Sequence, residues 1–321
     1  MIDHEKKPLV ILTGPTAVGK TALSIALAKR IDGEIISADS VQVYRGMDIG
    51  SAKIKKEEME GVPHHLIDIM EPTIAFNITL FQQLAKEAMG KIYEKGRIPI
   101  LTGGTGFYIQ SVLYAIDFTD NGENHEIRAR LEELAAKEGA EALHARLFDV
   151  DPEAAAAIHT NNIKRTIRAL EFYELTKTKI SSHNQVQREN VSPYRFCYFV
   201  LNDDRDRIYA NIDRRVDLMM EEGLVSEVSS LLQMGCTKDM VSMQALGYKE
   251  IAEALTGECT MEDAVYRIKR DTRHFAKRQL TWFRREKDVI WIDKKEYDHD
   301  TKRILDRMIS DMKERKVITA S

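Results

Sequence analysis

The stretch PLVILTGPTAVGKTALSIALAKRI at residues 8–31 decides the fold. It joins an apolar run at 9–12 to a Gly-x-x-x-x-Gly-Lys-Thr loop at 14–21, and the loop to an alternating apolar segment. The apolar run predicts a buried strand, and the segment after the loop predicts a helix that begins near Lys20. The two glycines of the loop can take backbone angles that turn successive N–H groups toward an anion. The stretch therefore predicts a site for phosphate or pyrophosphate.

The whole loop is expected to bind this anion, and its residues are Gly14, Pro15, Thr16, Ala17, Val18, Gly19, Lys20 and Thr21. Lys20 supplies a charge for the outer phosphates, and the hydroxyl of Thr21 is placed to bind Mg²⁺. The helix that begins here adds the positive end of its dipole. The loop alone leaves open whether the phosphate belongs to a nucleotide that is hydrolysed or to another phosphorylated group.

Composition and charge are those of an ordinary soluble protein of 321 residues, with 43% hydrophobic and 31% charged residues. The net charge of −4 argues against a uniformly basic protein that coats nucleic acid, although it permits a local basic patch. No long apolar segment or signal peptide is visible, which predicts a cytoplasmic protein that does not enter a membrane. Three widely separated cysteines, Cys197, Cys236 and Cys259, predict neither disulfides nor a zinc site.

Helical patterns separate most of the apolar runs, which predicts an α/β fold: a P-loop NTPase-like parallel sheet flanked by helices, with a helical insertion domain. The runs that predict strands lie at 9–12, 34–37, 66–69, 98–102, 196–201 and 289–292. No strand pattern occurs between the fourth and fifth runs, so residues 118–194 are predicted to form the insertion, and 1–117 with 195–321 the core. Asp151-Pro152 and Asn161-Asn162 predict helix starts in the insertion. Polar segments at 118–126 and 177–193 predict hinges.

Two further segments follow predicted strands. Asp39 and Ser40, in SADSVQVYRGMDIGSAK, fall at the end of the 34–37 strand, where open parallel sheets bind ligands. They could instead cap the next turn and satisfy their own backbone. The segment TGGTGFYIQSVLY at 102–114 carries three glycines that allow close approach by something bulky or planar. A tight helix entry without a ligand explains these glycines equally well.

Residues 264–287 carry nine Lys or Arg against only Asp271 and Glu286. As a helix, this segment places five basic residues on one face: Arg267, Arg270, His274, Arg278 and Arg285. Ile268, Phe275 and Trp282 form a second stripe that favours packing over base stacking. A solvated charged face is one explanation of the segment, but the charge imbalance and the choice of Arg favour a track for a phosphate backbone.

Several motifs together resemble the tRNA dimethylallyltransferases, also called tRNA isopentenyltransferases, over nearly the whole chain. These motifs are GPTAVGKT at 14–21, SADSVQVY at 37–44, HHLID at 64–68, GGTGFY at 103–108, KRTIRALE at 164–171, RRV at 214–216 followed by a Met and Gly-Leu, QALGYKE at 244–250 and KRQLTWFR at 277–284. KRQLTWFR is particularly specific. GSAK at 50–53 departs from the family, whose members more often have Thr after the glycine.

The resemblance implies transfer of a dimethylallyl group from dimethylallyl diphosphate to the exocyclic amine (N6) of the adenosine 3′-adjacent to the anticodon of a tRNA. It implies Mg²⁺ as cofactor, Asp39 as general base, and Thr16, Lys20 and Arg215 as groups that stabilise the leaving diphosphate. It also implies a set of tRNA contacts: Asp39, Ser40, Val41, Gln42, Thr105, Arg128, Lys164, Arg165, Thr166, Ile167, Arg168, Gln244, Gly247, Tyr248, Lys249, and, with the basic segment, Arg273, Lys277 and Arg278. The enzyme is expected to be a monomer that binds the anticodon stem-loop partly through its insertion.

Three alternatives stay open on the sequence alone. A small-molecule P-loop kinase shares the phosphate loop but has no need of the basic segment. A prenyltransferase that acts on free adenine nucleotides is the closest in chemistry. An RNA-binding switch driven by ATP needs a hydrolytic carboxylate after a strand, whereas the 98–102 strand ends in Thr-Gly-Gly.

Overall fold

The computed structural model describes residues 6–118 and 125–319. Within them lies a parallel sheet of six strands in the order β3-β2-β4-β1-β5-β6. The strands are β1 (Lys7–Thr13), β2 (Gly33–Ser37), β3 (His64–His65), β4 (Ile98–Gly103), β5 (Tyr194–Asn202) and β6 (Val289–Asp293). Because all neighbours are parallel, the ends of β1, β2 and β4 meet at one edge of the sheet.

Five of the six predicted strands are confirmed, and the third is wrong in its position. The strand there covers His64–His65, whereas 66–69 was predicted from its apolar residues. Leu66 and Asp68 have φ values of 63° and 55°, which an extended strand cannot accommodate. Leu66 is still buried, so its apolar side chain contributes to the core from a turn.

Helices cover both faces of the sheet. The helices that contact strands are α1 (Lys20–Ile31), α2 (Ile78–Glu94), α3 (Gly106–Leu113) and α12 (Thr301–Glu314). The other helices of this part of the chain pack mainly against one another, with α11 also against α3; they are α8 (Arg205–Glu222), α9 (Leu224–Gln233), α10 (Tyr248–Leu255) and α11 (Met261–Phe283). Val10 and Leu12 of β1 share a buried cluster with residues of α1 and α12. Their neighbours Leu9 and Ile11, which point to the opposite face, are also fully buried. None of the helices in the described ranges is long and apolar enough to cross a membrane.

The contacts divide the chain into two compact units, residues 1–113 with 193–321 and residues 114–192. The second unit corresponds to the predicted insertion, with boundaries a few residues earlier. It contains α4 (His125–Val150), α5 (Pro152–Ala157), α6 (Ile163–Thr176) and α7 (Ile180–Arg188). Its own core includes Leu131, Leu143, Leu147 and Leu170. The described residues of this unit form helices and no strand, and these helices bury their apolar faces against one another.

The two helix starts predicted in the insertion, at Asp151-Pro152 and Asn161-Asn162, are confirmed. Asp151 accepts hydrogen bonds from the N–H of Ala154 at 3.1 Å and from the N–H and hydroxyl of Ser181 at 2.9 and 2.7 Å. Asn162 caps α6 through the N–H of Arg165 at 3.3 Å. The hinge predicted at 177–193 is wrong over most of its length, because α7 occupies it and its first turn is held by Asp151. The hinge predicted at 118–126 lies mostly outside the described residues.

Candidate active site

The loop between β1 and α1 has the geometry predicted for a phosphate loop. Gly14 has a φ of 148°, and a Cβ there would lie 2.5 Å from the carbonyl oxygen of Leu201 in β5. Only glycine fits that position without moving the strand. Lys20 and Thr21 form the first residues of α1, so their backbone N–H groups and the helix dipole face the loop. The loop can therefore hold an anion with its backbone.

Lys20 and Arg215 place two positive charges at this loop. The ammonium of Lys20 donates to the carbonyl oxygens of Gly14 at 3.0 Å and Pro15 at 2.9 Å. Burial and the nearby charge of Arg215 lower the pKa of Lys20 to about 7, and Asp39 acts in the opposite direction. Burial also lowers the pKa of Arg215 against the same carboxylate. These two partly buried cations repel each other, and a bound anion with several negative charges would offset this repulsion.

Asp39 both caps a turn and takes part in this charge cluster. Its Oδ1 accepts from the N–H of Val41 at 2.8 Å and of Gln42 at 3.3 Å. The capping role considered from the sequence is thus real. The same side chain interacts electrostatically with Lys20 and Arg215, and no hydrogen bond to its Oδ2 occurs among the described residues. One carboxylate oxygen fixes the orientation of the group, which leaves the other for a ligand.

The turn after β2 orients a second polar group beside Asp39. Gln42 accepts from the hydroxyl of Ser37 at 3.0 Å and directs its amide N–H₂ toward the carbonyls of Ser51 and Ala52 at 3.4 Å. The N–H of Thr105, after β4, donates to the carbonyl of Ala38 at 3.3 Å. The residues predicted to meet the acceptor base therefore lie together, with Ser40 exposed among them.

The glycines after β4 admit side chains of α11. A Cβ at Gly104 would overlap the amide of Gln279, and one at Gly106 would overlap the indole of Trp282. The close approach predicted for this segment is thus made by the protein itself, as in the alternative without a ligand. Gln279 also accepts from the N–H of Thr16 at 2.9 Å and donates to the carbonyl of Gly104 at 3.0 Å. It joins the phosphate loop to the turn after β4, a role that sequence reasoning missed.

The basic charge of α11 is partly neutralised. Four cations of its first part are paired with carboxylates, namely Arg267 with Glu253, Lys269 with Asp217, Arg270 with Asp271 and Arg273 with Asp213. Lys277, Arg278 and Arg285 have no ion pair within the described chain. With His274, Thr281 and Trp282 they line a cavity of about 380 Å³. The predicted charged face is confirmed up to Arg278, but Arg285 lies in the turn after α11 ends at Phe283.

Two of the four tRNA contacts predicted in the QALGYKE motif lie in the protein interior. Tyr248 is fully buried, its hydroxyl donates to Glu227 at 2.7 Å, and its ring blocks any side chain at Gly50. Gly247 is also buried, and its N–H donates to Glu250 at 2.8 Å. The side chain of Tyr248 therefore has a packing role and cannot contact RNA in this structure. Gln244 is exposed and its amide donates to the carbonyl of Lys238, and Lys249 is partly exposed with its ammonium 3.9 Å from the carboxylate of Glu253.

The tRNA contacts predicted in the insertion also divide into exposed and buried residues. Lys164 and Arg165 are exposed at the start of α6, whereas Thr166 and Ile167 are buried. The RNA contact predicted for the latter two side chains is revised, because they pack in the core of the insertion. Two further predicted contacts, Arg128 and Arg168, each lie 3.0 Å from the carboxylate of Glu171, which is fully buried. Both arginines neutralise a buried charge, a role that takes part of their hydrogen-bonding capacity.

The protein side chains near the phosphate loop could hold Mg²⁺ only together with ligands supplied by a phosphate substrate. Among the described residues no three His, Cys, Asp or Glu side chains come together as a metal cage. The side chain of Thr21 is exposed at the start of α1 and is available as one ligand. Mg²⁺ commonly keeps several waters and takes its remaining ligands from phosphates.

A parallel sheet with a Gly-x-x-x-x-Gly-Lys-Thr loop between its first strand and first helix, with cations and a carboxylate at the same edge, defines a P-loop NTPase-like enzyme core. A family model described as IPP transferase matches residues 42–286. The tRNA dimethylallyltransferase of Lachnoclostridium phytofermentans is 61% identical over 97% of this chain and 99% of that protein. That of Carboxydothermus hydrogenoformans is 52% identical over 89% and 91%.

Solved structures agree with these sequence matches. The crystal structure of full-length tRNA isopentenylpyrophosphate transferase from Bacillus halodurans superposes with a TM-score of 0.72 at 45% identity, covering 97% of this chain and 98% of that one. A eukaryotic dimethylallyltransferase, described as acting on tRNA, has a TM-score of 0.77 at 28% identity, with 89% and 74% covered. The chain belongs to the IPP transferase family and is a transferase.

Proposed function

We propose that this protein transfers the dimethylallyl group of dimethylallyl diphosphate to the N6 amine of the adenosine 3′-adjacent to the anticodon in tRNA, and releases diphosphate. The relatives reported above carry the corresponding names, tRNA dimethylallyltransferase and tRNA isopentenylpyrophosphate transferase. The observation that supports the proposal most directly is the placement of Asp39 beside Lys20 and Arg215 at one sheet edge. A base for the amine thus adjoins the cations for the leaving group.

The proposed reaction has a simple balance. The amine nitrogen forms a bond to the first carbon of the allyl group while the carbon–oxygen bond to diphosphate breaks. Lys20 and Arg215, with the backbone of the loop around Thr16, stabilise the negative charge that develops on the leaving group. Asp39 takes the proton that the amine loses. Mg²⁺ bound through Thr21 would supply further charge neutralisation at the diphosphate.

The acceptor base is proposed to leave its stack in the anticodon loop and to enter the space beside Asp39. The fixed amide of Gln42, with Ser40, Val41 and Thr105, then recognises its edge. Exposed cations of α11, of the QALGYKE motif and of the insertion hold the RNA backbone. The predicted monomeric state and cytoplasmic location stay predictions.

Incubation with undermodified tRNA and labelled dimethylallyl diphosphate tests this proposal. We expect the label to appear in RNA with the wild-type protein and to be lost with Asp39→Asn. AMP, ADP and ATP serve as competing acceptors, because label on a free nucleotide would indicate the nucleotide prenyltransferase instead. Consumption of a nucleoside triphosphate with a small acceptor, and no label in RNA, would indicate a kinase.

A further inference from the structure

Lys294 lies beside the phosphate loop, although it comes from a distant part of the chain. It is the first residue of a short 3₁₀ turn that follows β6. Because β1, β5 and β6 are parallel neighbours, the end of β6 and the phosphate loop share one edge of the sheet. The ammonium of Lys294 donates to the carbonyl oxygen of Val18 at 3.1 Å. A Cβ at Gly19 would lie 3.2 Å from the same ammonium.

The charge of Lys294 is not neutralised by an ion pair. Its side chain forms none within residues 6–118 and 125–319, whereas the ammonium of the next residue, Lys295, lies 3.2 Å from a carboxylate oxygen of Asp204. Lys294 is also partly buried. It is therefore a third cation at the loop, in addition to Lys20 and Arg215, and its bond to the protein is made with the loop backbone.

The bond from Lys294 acts on one peptide group of the phosphate loop. The carbonyl of Val18 and the N–H of Gly19 belong to the same trans peptide, so they point in opposite directions. A cation at the carbonyl oxygen polarises this peptide, which makes the N–H on its far side a stronger donor. This N–H donates to no other backbone group in the described ranges, so it is available to an anion.

The loop residues themselves do not fix the orientation of this peptide. Gly19 has a φ of 94°, and glycine takes positive and negative φ about equally readily. The peptide that precedes Gly19 can therefore rotate at little steric cost. The hydrogen bond from Lys294 to Val18 favours the one orientation in which the carbonyl points to the ammonium and the N–H points away from it.

We propose that Lys294 is a positioning residue of the diphosphate site. It holds the peptide between Val18 and Gly19 so that the N–H of Gly19 meets the diphosphate, and its charge adds to those of Lys20 and Arg215. The inference rests on the proposed function, because it takes a diphosphate as the occupant of the loop. It extends the diphosphate site from the motif at 14–21 to the end of β6. Hydrogen bonds to charged groups change affinity by about 10- to 100-fold.

Binding of pyrophosphate to Lys294→Met tests the proposal, because methionine keeps an unbranched side chain without the charge or the donor. We expect the Kd for pyrophosphate and the KM for dimethylallyl diphosphate to rise by about 10- to 100-fold, with the affinity for an anticodon stem-loop RNA unchanged. Lys294→Arg should restore both constants. Lys295→Met is the matched control, since it removes the same charge one residue further along. At about 0.15 M salt, where distant charges are screened, it should bind pyrophosphate like the wild type.

The free protein allows a second measurement by NMR. The amide resonance of Gly19 should shift in Lys294→Met but not in Lys295→Met, because only the former loses the bond to its peptide. A lower thermal midpoint of Lys294→Met with an unchanged Kd would show a merely structural contact and overturn the proposal, as would equal weakening in both variants. In these cases wild-type protein still binds pyrophosphate and labels RNA, so the inference alone fails. If the wild type binds no pyrophosphate, the proposed function fails as well.

Discussion

Gln279 accepts a hydrogen bond from the backbone N–H of Thr16 at 2.9 Å, although 263 positions separate the two residues in the chain. The other end of the same amide donates to the carbonyl of Gly104 at 3.0 Å. A single neutral side chain of α11 therefore joins the phosphate loop to the turn that leads to Thr105. In the proposed function, these two parts of the chain position the prenyl donor and the acceptor base, and they meet at this amide.

Gln279→Ala is expected to lower kcat by about 10- to 100-fold, since small displacements of reacting groups have effects of this size. The change also leaves the N–H of Thr16 and the carbonyl of Gly104 without their partner. Turnover and the thermal midpoint should be measured together. Gln83→Ala, which removes a glutamine that bonds at the surface of α2, is the control. Normal turnover of Gln279→Ala would show that the bridge does not position the site.

Asp39→Asn is expected to lower kcat by about 10²- to 10⁴-fold, because an amide cannot accept the proton of the amine. It retains an oxygen that can accept from the N–H groups of Val41 and Gln42, so the turn and the affinity for tRNA should change little. Asp39→Ala removes both the base and the cap. If only Asp39→Ala were impaired, the carboxylate would serve the turn and not the proton transfer.

Binding of pyrophosphate should be accompanied by proton uptake at pH 8. The pKa of Lys20 in the free protein is lowered to about 7, so the Lys20 amine is neutral in most molecules at pH 8. A bound anion favours the ammonium and raises this pKa. The uptake should shrink toward pH 6, where Lys20 is already charged. Calorimetry in buffers of different ionisation enthalpy measures it.

Lys20→Arg is the control for this uptake, because arginine stays protonated throughout. Subtracting its proton uptake from that of the wild type removes the contribution of pyrophosphate's own titration. The same number of protons taken up by wild type and Lys20→Arg would contradict the assignment. Lys20→Met should weaken pyrophosphate binding at pH 6 more than at pH 8, since the charge it removes is present mainly at the lower pH.

Replacement of Lys277, Arg278 and Arg285 by Ala should make the salt dependence of tRNA affinity shallower. Each lost contact with single-stranded RNA reduces the log–log slope by about 0.7. Lys269→Ala should leave the slope nearly unchanged, because Lys269 is paired with Asp217 at 2.5 Å. The KM for the prenyl donor should be unaffected in both. An unchanged slope in the triple variant would place the RNA contacts elsewhere.

Lys164 and Arg168 in the insertion should respond differently to substitution. Lys164→Ala, with Arg165→Ala, removes exposed charges and is expected to weaken tRNA binding without changing the thermal midpoint. Arg168→Ala leaves the buried carboxylate of Glu171 with only part of its compensation and should lower the thermal midpoint. Loss of stability in the first variant, or tRNA binding unaffected by it, would contradict this separation.

The phosphate loop and most of the sheet could be predicted because their determinants are local. An apolar run followed by glycine, lysine and threonine specifies strand, loop and helix start without reference to the rest of the chain. Residues 66–69 were mistaken for a strand because the same apolar composition also suits a turn, here one that buries Leu66 and leaves Ile69 exposed. Leu66 and Asp68 have left-handed φ values, and the N–H of Asp68 donates to the distant carbonyl of Gln42 at 3.2 Å, a pairing that local composition does not specify.

The role of Gln279 and the charge balance of α11 could not be predicted in this way. A glutamine in a basic helix has no feature in the sequence that indicates a bridging role, because the two residues that it joins are distant in the chain. The carboxylates of Asp213 and Asp217, which pair with Arg273 and Lys269, lie on α8. A count of charges along one segment cannot include them. The motif KRQLTWFR was identified from the sequence, but only its cations and Trp282 were assigned roles, and Gln279 was not.

The strand order has a consequence for biosynthesis. β1 lies between β4 and β5, and β5 begins only at Tyr194. A ribosome-bound chain that ends before this point has an open sheet edge beside its phosphate loop, and the amide that fastens Thr16 is made later still. Pairings so distant in sequence form slowly and leave partly folded chains exposed. We therefore expect the proposed diphosphate site to be complete only after Gln279 has been synthesised, and truncated products to be inactive and prone to aggregate.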